Sequence, residues 1–280
     1  MLPGIYAASS TFRHNQRALS LLNHNLANSQ TPGFRESLLL VRSKENEQAS
    51  FEMDGRVRRG IASSYATQVA GIYKNHHAPT LLQNTGNPMN LAILPHIHNG
   101  FFRVAKQANG GEHYYTRNGQ ISLAPLYPEQ ADSPTVLHLA GAIALDAQGK
   151  PIEVDMSRGA LEISDSGKLS QAGNPLTELP IYRLNRGPDI RQQEDAQLHR
   201  LEAMGDSLYR IPPSHVDQMH PMRIVDREKL VRQGALEGAN VNVMRQVAEL
   251  TELSRHTEAL RKVAGGGLDG LQKLFSLIRQ

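Results

Sequence analysis

Residues 241–280 read VNVMRQVAELTELSRHTEALRKVAGGGLDGLQKLFSLIRQ, and this stretch decides the fold class. Its apolar positions recur at alternating spacings of three and four residues, which is the pattern of a coiled-coil seam. The seam includes Leu250, Leu253, Leu260, Leu271, Leu274 and Ile278. The pattern predicts a long C-terminal helix whose apolar face needs a partner. The glycine triplet at 265–267 weakens this helix, because each glycine costs about 1 kcal/mol relative to alanine.

The N-terminal residues carry the same kind of pattern. Their seam consists of Ile5, Phe12, Leu19, Leu22 and Leu26. We therefore predict an amphipathic helix over residues 5–28. It should end at Asn28, because asparagine accepts left-handed geometry and the following Thr31-Pro32-Gly33 cannot extend a helix. Two seams at opposite ends of one chain can pair with each other or interlock with neighbouring copies.

The middle of the chain contains short apolar runs separated by turns rich in glycine and proline. The runs are 90–93, 100–104, 114–117, 120–123, 136–139, 142–145, 161–163 and 181–184. Asn118-Gly119 and Asp165-Ser166-Gly167 predict two tight hairpins. The expected fold class is α+β, with discontinuous N- and C-terminal coiled-coil helices and a β-rich central domain.

These patterns divide the chain into five segments. They are the N-terminal helix at 1–34, a linker or extended arm at 35–84, the β-rich central domain at 85–215, a second linker at 216–235 and the C-terminal helix at 236–280. The arm is predicted because periodicity is lost and charge increases after Glu36.

The composition excludes several functional classes. The chain has no cysteine, which rules out disulfides, thiolate zinc sites and thiol nucleophiles. A net charge of +3 is too small a bias to indicate a nucleic-acid partner. Arg56, Arg58 and Arg59 form a local basic cluster that is either a solvated face or a docking surface. No apolar run is long enough to predict a membrane span, and the N-terminus lacks the features of a cleaved signal peptide.

Neither catalysis nor metal binding is supported by a set of suitably spaced side chains. His76-His77 and His96-Ile97-His98 do not supply the three or four ligands of a tight metal site. Asp132-Ser133 and Asp165-Ser166 are better explained as turns. The strongest enzyme alternative is a glycan hydrolase that uses two of the carboxylates Glu112, Asp146, Glu153 and Glu162. We expect no enzymatic activity, no cofactor and no metal.

Several short motifs follow one another in order along the chain. They are Asn25-Leu26-Ala27-Asn28, Thr31-Pro32-Gly33-Phe34, Thr85-Gly86-Asn87-Pro88, Gly100-Phe101-Phe102, Tyr115-Thr116-Arg117-Asn118-Gly119 and Asn240-Val241-Asn242-Val243. Together they resemble the motifs of the bacterial flagellar basal-body rod and hook-basal body family, and the length is similar to that of its distal rod proteins. Three departures from the family pattern are His96-Ile97-His98-Asn99, the glycine triplet, and Met89-Asn90 in place of the common Leu-Asp.

The resemblance implies a structural role. Members of this family are axial subunits of the flagellar rod, and they are exported unfolded through the flagellar type III apparatus without cleavage of a signal peptide. We therefore expect a basal-body subunit that associates with itself and with other rod and hook proteins. A rod-associated assembly cap or adaptor and a peptidoglycan-active enzyme remain the alternatives.

Overall fold

The computed structural model describes most of the chain as two compact units. The described residues are 2–43, 49–53, 56–60, 67–76, 81–97, 100–107, 112–130, 132–185, 201–215, 220–223 and 229–278. The helical unit consists of Met1–Ala27, Ser37–Tyr73 and Asn242–Gln280, and the β unit consists of Asn28–Glu36 and Lys74–Val241. The chain therefore passes from one unit to the other four times.

The helical unit contains a helix from each end of the chain. Helix α1 spans Leu2–Ala27 and helix α2 spans Val243–Ile278. Both predicted terminal helices are thereby confirmed, and α2 continues through the glycine triplet. Neither helix has a segment apolar and long enough to cross a membrane within the described residues.

Four described strands lie within residues 37–74, nearly all of which belong to the helical unit. They are β1 Ser37–Ser43, β2 Ala49–Met53, β3 Arg56–Gly60 and β4 Thr67–Lys74. Strand β1 pairs with β4, and β2 pairs antiparallel with β3. The segment predicted as an extended arm thus contains ordered strand pairs.

The described residues of the β unit contain sixteen further strands. They are β5 Leu82–Asn84, β6 Leu91–Ile93, β7 Gly100–Ala105, β8 His113–Thr116, β9 Ile121–Pro125, β10 Thr135–Leu139, β11 Ala142–Ala144, β12 Leu161–Ile163, β13 Lys168–Gln171, β14 Asn174–Glu178, β15 Ile181–Asn185, β16 Glu202–Ala203, β17 Leu208–Arg210, β18 His220–Arg223, β19 Val231–Gln233 and β20 Ala235–Glu237. Nine of them form the main sheet, in which β7 pairs with β8, β11 and β15. The smaller sheets are β12-β13-β14, β19-β6 and β20-β5.

Strand β7 is central because both of its faces are covered. Phe102 and Val104 enter the main apolar core with Leu137 and Leu139. The side chain of Phe101, one residue before Phe102, instead joins a second cluster of Tyr115, Tyr182, Leu201 and Tyr209. The alternation along β7 therefore joins two apolar layers through one strand.

One predicted hairpin is confirmed and the other is wrong. Strands β12 and β13 pair across Asp165-Ser166-Gly167, with Ile163 opposite Leu169. Strands β8 and β9, by contrast, flank Asn118-Gly119 without pairing: β8 pairs with β7 and β17, whereas β9 pairs with β10. The Gly119 carbonyl accepts a hydrogen bond from the Leu91 amide at 2.9 Å. The segment at Asn118-Gly119 therefore bonds to strand β6 and does not form a hairpin turn between β8 and β9.

Candidate functional site: the groove of the helical unit

One face of α1 is turned toward the other elements of the helical unit. The residues of this packed face follow one another at alternating spacings of four and three. It consists of Thr11, Asn15, Ala18, Leu22 and Asn25, which all line one groove. The two asparagines are its most buried members, with 6% of Asn15 and 1% of Asn25 exposed. Because the apolar members are only half-buried, this face is not closed by the chain itself.

Helix α2 presents a matching face. Between Asn242 and Lys262, the residues that are not fully exposed are Gln246, Leu250, Leu253, Thr257 and Leu260, again four and three apart. The predicted seam residues Leu250, Leu253 and Leu260 therefore lie on this face. The side chains of Ile5, Leu271, Leu274 and Ile278 lie outside the described residues.

Asn25 ties together the three elements around the groove. Its Nδ2 donates to the Ser37 carbonyl at 2.9 Å and to Gln246 Oε1 at 3.4 Å. Its Oδ1 accepts the Ser37 amide hydrogen at 2.9 Å. The end of α1 thus meets the start of β1 and the first turn of α2, so the two helices run antiparallel.

The resulting groove has a volume of about 510 Å³ and a mostly apolar floor. Its leucines are Leu21, Leu22, Leu38, Leu39, Leu253 and Leu260. Glu249, Glu252 and His256 of α2 also line it, and all three are exposed. The groove can therefore bind an apolar helix face flanked by positive charge.

A second apolar stripe lies on α1 outside the groove. Phe12, Leu19 and Leu26 of the predicted seam are half-buried, and they do not line the groove. At 3.6 residues per turn, this stripe lies about 80° around α1 from the packed face. Helix α1 therefore has a packed face of mixed polarity and, beside it, a separate apolar stripe.

Large apolar side chains are also exposed elsewhere on the helical unit. The exposed fractions are 41% for Val243, 83% for Met244 and 47% for Val247 at the start of α2. On the paired strands β1 and β4, Leu40 is 43% and Ile72 is 59% exposed. Val243, Met244 and Val247 lie within about one turn of each other, so the start of α2 carries a small exposed apolar cluster.

The β unit contains a buried ion triad that the sequence did not predict. Glu237 accepts from Arg35 Nη2 at 2.7 Å and from Arg117 Nε at 2.8 Å, and all three side chains are about 1–2% exposed. Arg117 Nη1 also donates to the carbonyls of Ile97 and Gly100. Burial, and then the neighbouring Arg117, lower the pKa of Arg35 to about 10, so it stays charged at neutral pH.

The motif residues that follow α1 lie against this triad. The Gly33 amide donates to the Glu237 carbonyl at 2.8 Å, and Phe34 is buried beside it. Gly33 has a φ of 67°, and a Cβ there would meet the Asn118 backbone nitrogen at 2.6 Å. Asn28 and Thr31 form the turn before it, since the Thr31 amide donates to the Asn28 carbonyl at 3.0 Å.

Asn240 joins its own segment of the β unit to two others. Its Oδ1 accepts the Glu36 amide hydrogen at 2.6 Å, and its Nδ2 donates to the Asn75 carbonyl at 2.6 Å. Its own amide donates to the Phe34 carbonyl at 3.3 Å. The following Val241 is half-buried. Asn240 therefore joins separate segments within the β unit through its side-chain amide, as Asn25 does within the helical unit.

The Thr85-Gly86-Asn87-Pro88 motif forms a hydrogen-bonded turn. Asn90 Nδ2 donates to Thr85 Oγ1 at 2.7 Å, and the Met89 amide donates to Asn87 Oδ1 at 2.9 Å. The Thr85 and Gly86 amides both donate to the Gly234 carbonyl. Every one of these contacts is structural.

The residues considered for catalysis have structural partners or exposed positions. Glu112 pairs with Arg210 at 3.0 Å, Asp165 pairs with Lys229 at 3.2 Å, and Glu153 and Glu162 are exposed. Asp146 caps its own turn by accepting from the Gln148 and Lys150 amides. His76 packs edge-on against Phe101 and Tyr209. Within the described residues, no three His, Asp or Glu side chains are grouped to hold a metal ion.

The pH dependence of stability provides a test of the packing around Phe34. Lys74 Nζ donates to the Arg35 carbonyl at 3.2 Å and lies 4.4 Å from the Phe34 ring centre. Burial lowers the pKa of Lys74 from 10.5 to about 8. Between these values the unfolded chain binds more protons than the folded one, so the free energy of unfolding rises with pH.

We expect this free energy, measured by urea unfolding, to increase from pH 8 to pH 10 in the parent protein. Lys74→Met should remove the increase, whereas Lys150→Met at an exposed position should retain it. An unchanged pH profile in Lys74→Met would contradict the assignment.

Comparison with known proteins gives relatives over almost the whole chain, although no protein-family model matches it. The chain is 28% identical over 268 residues to "Flagellar basal-body rod protein FlgF" of Caulobacter vibrioides, covering 92% of this chain and 91% of that one. It is 25% identical over 257 residues to FlgF of Escherichia coli, covering 92% and 89%. It is 23% identical to "Flagellar basal-body rod protein FlgG" of Bacillus subtilis, and both chains are covered over 100% of their length.

Proposed function

This chain belongs to the flagellar rod and hook-basal body family, and from that premise we propose that it is an axial subunit of the rod that polymerises through its terminal helices. Its relatives are named as basal-body rod proteins, which assigns a structural role in the flagellar basal body. In the proposed assembly, the helices form coiled-coil contacts with neighbouring rod or hook proteins and help to form the drive shaft and the export channel. Delivery is through the flagellar type III apparatus.

The observation that carries this proposal is the open groove between α1 and α2. Its leucines are half-buried, and a second apolar stripe on α1 lies outside the groove. Two different apolar surfaces on one subunit favour a heterologous contact, in which each copy binds the next and the contact need not close. Such a contact produces a helical filament.

Replacing both Leu253 and Leu260 with aspartate should stop assembly. Each charge enters an apolar contact at a cost of roughly 2 kcal/mol, so incorporation should fall about a thousandfold for the pair. The measurement is the amount of the protein in basal bodies purified from a strain lacking its own copy. The matched control is Ser254→Asp with Ala259→Asp, which places the same charges at exposed neighbouring positions.

Rods of normal length containing the Leu253→Asp, Leu260→Asp protein would contradict the proposal. The number of copies per basal body separates an axial subunit from an assembly cap or adaptor, because a filament layer contains many copies and a cap is transient. Circular dichroism of the purified variant should show that the β unit remains folded, since both changes lie in the helical unit.

A further inference from the structure

We propose that residues 229–241 are the closing segment of the β unit: the unit has no stable folded state until this segment, its last in sequence, occupies its place. The inference concerns when the subunit folds. It goes beyond the proposed function and does not depend on which surfaces take part in assembly.

The closing segment pairs with strands from the early part of the β unit. Strand β19 lies antiparallel to β6, with Val231 opposite Ile93, and β20 lies antiparallel to β5, with Glu237 opposite Leu82. Within the described residues, neither β5 nor β6 has another strand partner. Both strands therefore depend on a segment that the chain supplies only at the end of the unit.

The closing segment also completes the main apolar core. The side chains of Leu230 and Val231 are 4% and 1% exposed, and they belong to the cluster that contains Phe102, Leu137 and Leu139. Without them the core would be open to water on one side, and the free energy of folding becomes less favourable in proportion to the apolar area that is exposed. The rest of the unit thus lacks part of its own core.

Polar groups from three other parts of the unit bond to the closing segment. The Leu94 amide donates to the Leu230 carbonyl at 3.0 Å, and the Ile163 amide donates to Gln233 Oε1 at 2.9 Å. The third group is the amide of Gly33, which bonds to the segment as described above. An amide that loses its partner in a protein interior is unfavourable. Removal of the segment would leave such donors unpaired in three places at once.

Glu237 adds an electrostatic reason for closure in one step. Arg35 Nη2 and Arg117 Nε both donate to its carboxylate, and all three side chains are buried. Without Glu237 the two guanidinium groups would be buried side by side as like charges, which repel each other. A β unit that is folded except for this segment is therefore disfavoured.

Native-state hydrogen exchange of the full-length protein tests this inference. If the segment opens only together with the whole unit, amides of β19 and β20 exchange through the same opening reaction as amides of β7 and β10. We expect opening constants within about threefold of each other. Exchange in β19 and β20 more than about tenfold faster than in β7 and β10 would show that the segment opens alone, and would overturn the inference.

Val231→Ala provides a second readout, because it shortens one buried side chain of the segment and leaves the strand pairing in place. Exchange should accelerate about tenfold in β7 and β10 as well as in the closing segment. Arg232→Ala, at the exposed neighbouring position of the same strand, is the matched control and should change exchange by less than about twofold. Acceleration confined to the closing segment and its pairing partners β5 and β6 would contradict the proposal.

Refolding from urea tests the order of events. Pulse labelling should show β7, β10 and the closing segment becoming protected with one rate constant, as expected for a cooperative unit. Protection of β7 and β10 in an earlier phase would show that the main sheet folds without the segment, and the inference would then be wrong. None of these measurements involves assembly, so the proposed function is tested separately by the incorporation of Leu253→Asp, Leu260→Asp.

Discussion

Replacing Glu237 with alanine is expected to cause the largest loss of stability in the β unit. The change leaves the Arg35 and Arg117 guanidinium groups buried next to each other without their shared carboxylate. Breaking a buried ion pair by removing one partner costs about 3–5 kcal/mol, a large part of the roughly 5–15 kcal/mol that stabilises a typical protein. Thermal unfolding should show a midpoint lower by about 10 °C.

Two further variants make the Glu237 experiment specific. Glu162→Ala removes an exposed carboxylate from strand β12 and should leave the midpoint within about 1 °C. The triple change Arg35→Met, Arg117→Met, Glu237→Leu removes all three charges and should recover most of the stability lost by Glu237→Ala, because no buried charge is left unpaired. A midpoint unchanged by Glu237→Ala would show that the triad does not stabilise the fold.

Gly119→Ala is expected to have the second largest effect. A Cβ at this buried position would overlap the Leu91 carbonyl oxygen, and backbone cannot rotate away as a flexible side chain can. The Ile121 amide also donates to the Met89 carbonyl at 2.8 Å, which holds the two segments together. Separating them should cost roughly 3 kcal/mol or more, measured by urea unfolding.

Gly71→Ala is the matched control for Gly119→Ala. Gly71 also lies in a β region, in strand β4, and an added Cβ there meets no atom within 4 Å. Its free energy of unfolding should change by less than about 1 kcal/mol. Equal effects of the two substitutions would show that the contact with Leu91 is not tight.

Local patterns were sufficient to predict both terminal helices and the eight strands that coincide with the predicted apolar runs. The heptad spacing predicted the terminal helices, and short apolar runs predicted strands such as β7, β10 and β12. The α2 residues Leu250, Leu253 and Leu260 do lie on one face, because side chains three and four residues apart share a side of a helix. Their role in contacts between copies remains a prediction.

Long-range pairing determined what the sequence could not predict. Asn118-Gly119 has the composition of a hairpin turn, yet the segment is drawn to Leu91, which lies far away in the sequence. Arg117 is likewise buried in contact with Glu237, which lies 120 residues away in the sequence. The burial of Glu237 had one local indication in the sequence: its carboxylate lies among the small and apolar residues Ala235, Leu236 and Gly238.

The helical unit is built from three separate segments of the chain, which affects the order in which it can fold. A chain synthesised or delivered N-terminus first presents α1 well before α2, because the β unit lies between them in sequence. Contacts across such a separation form late. A chain cut before residue 243 lacks α2 and therefore one wall of the groove, so under the proposed function we expect partial products not to assemble.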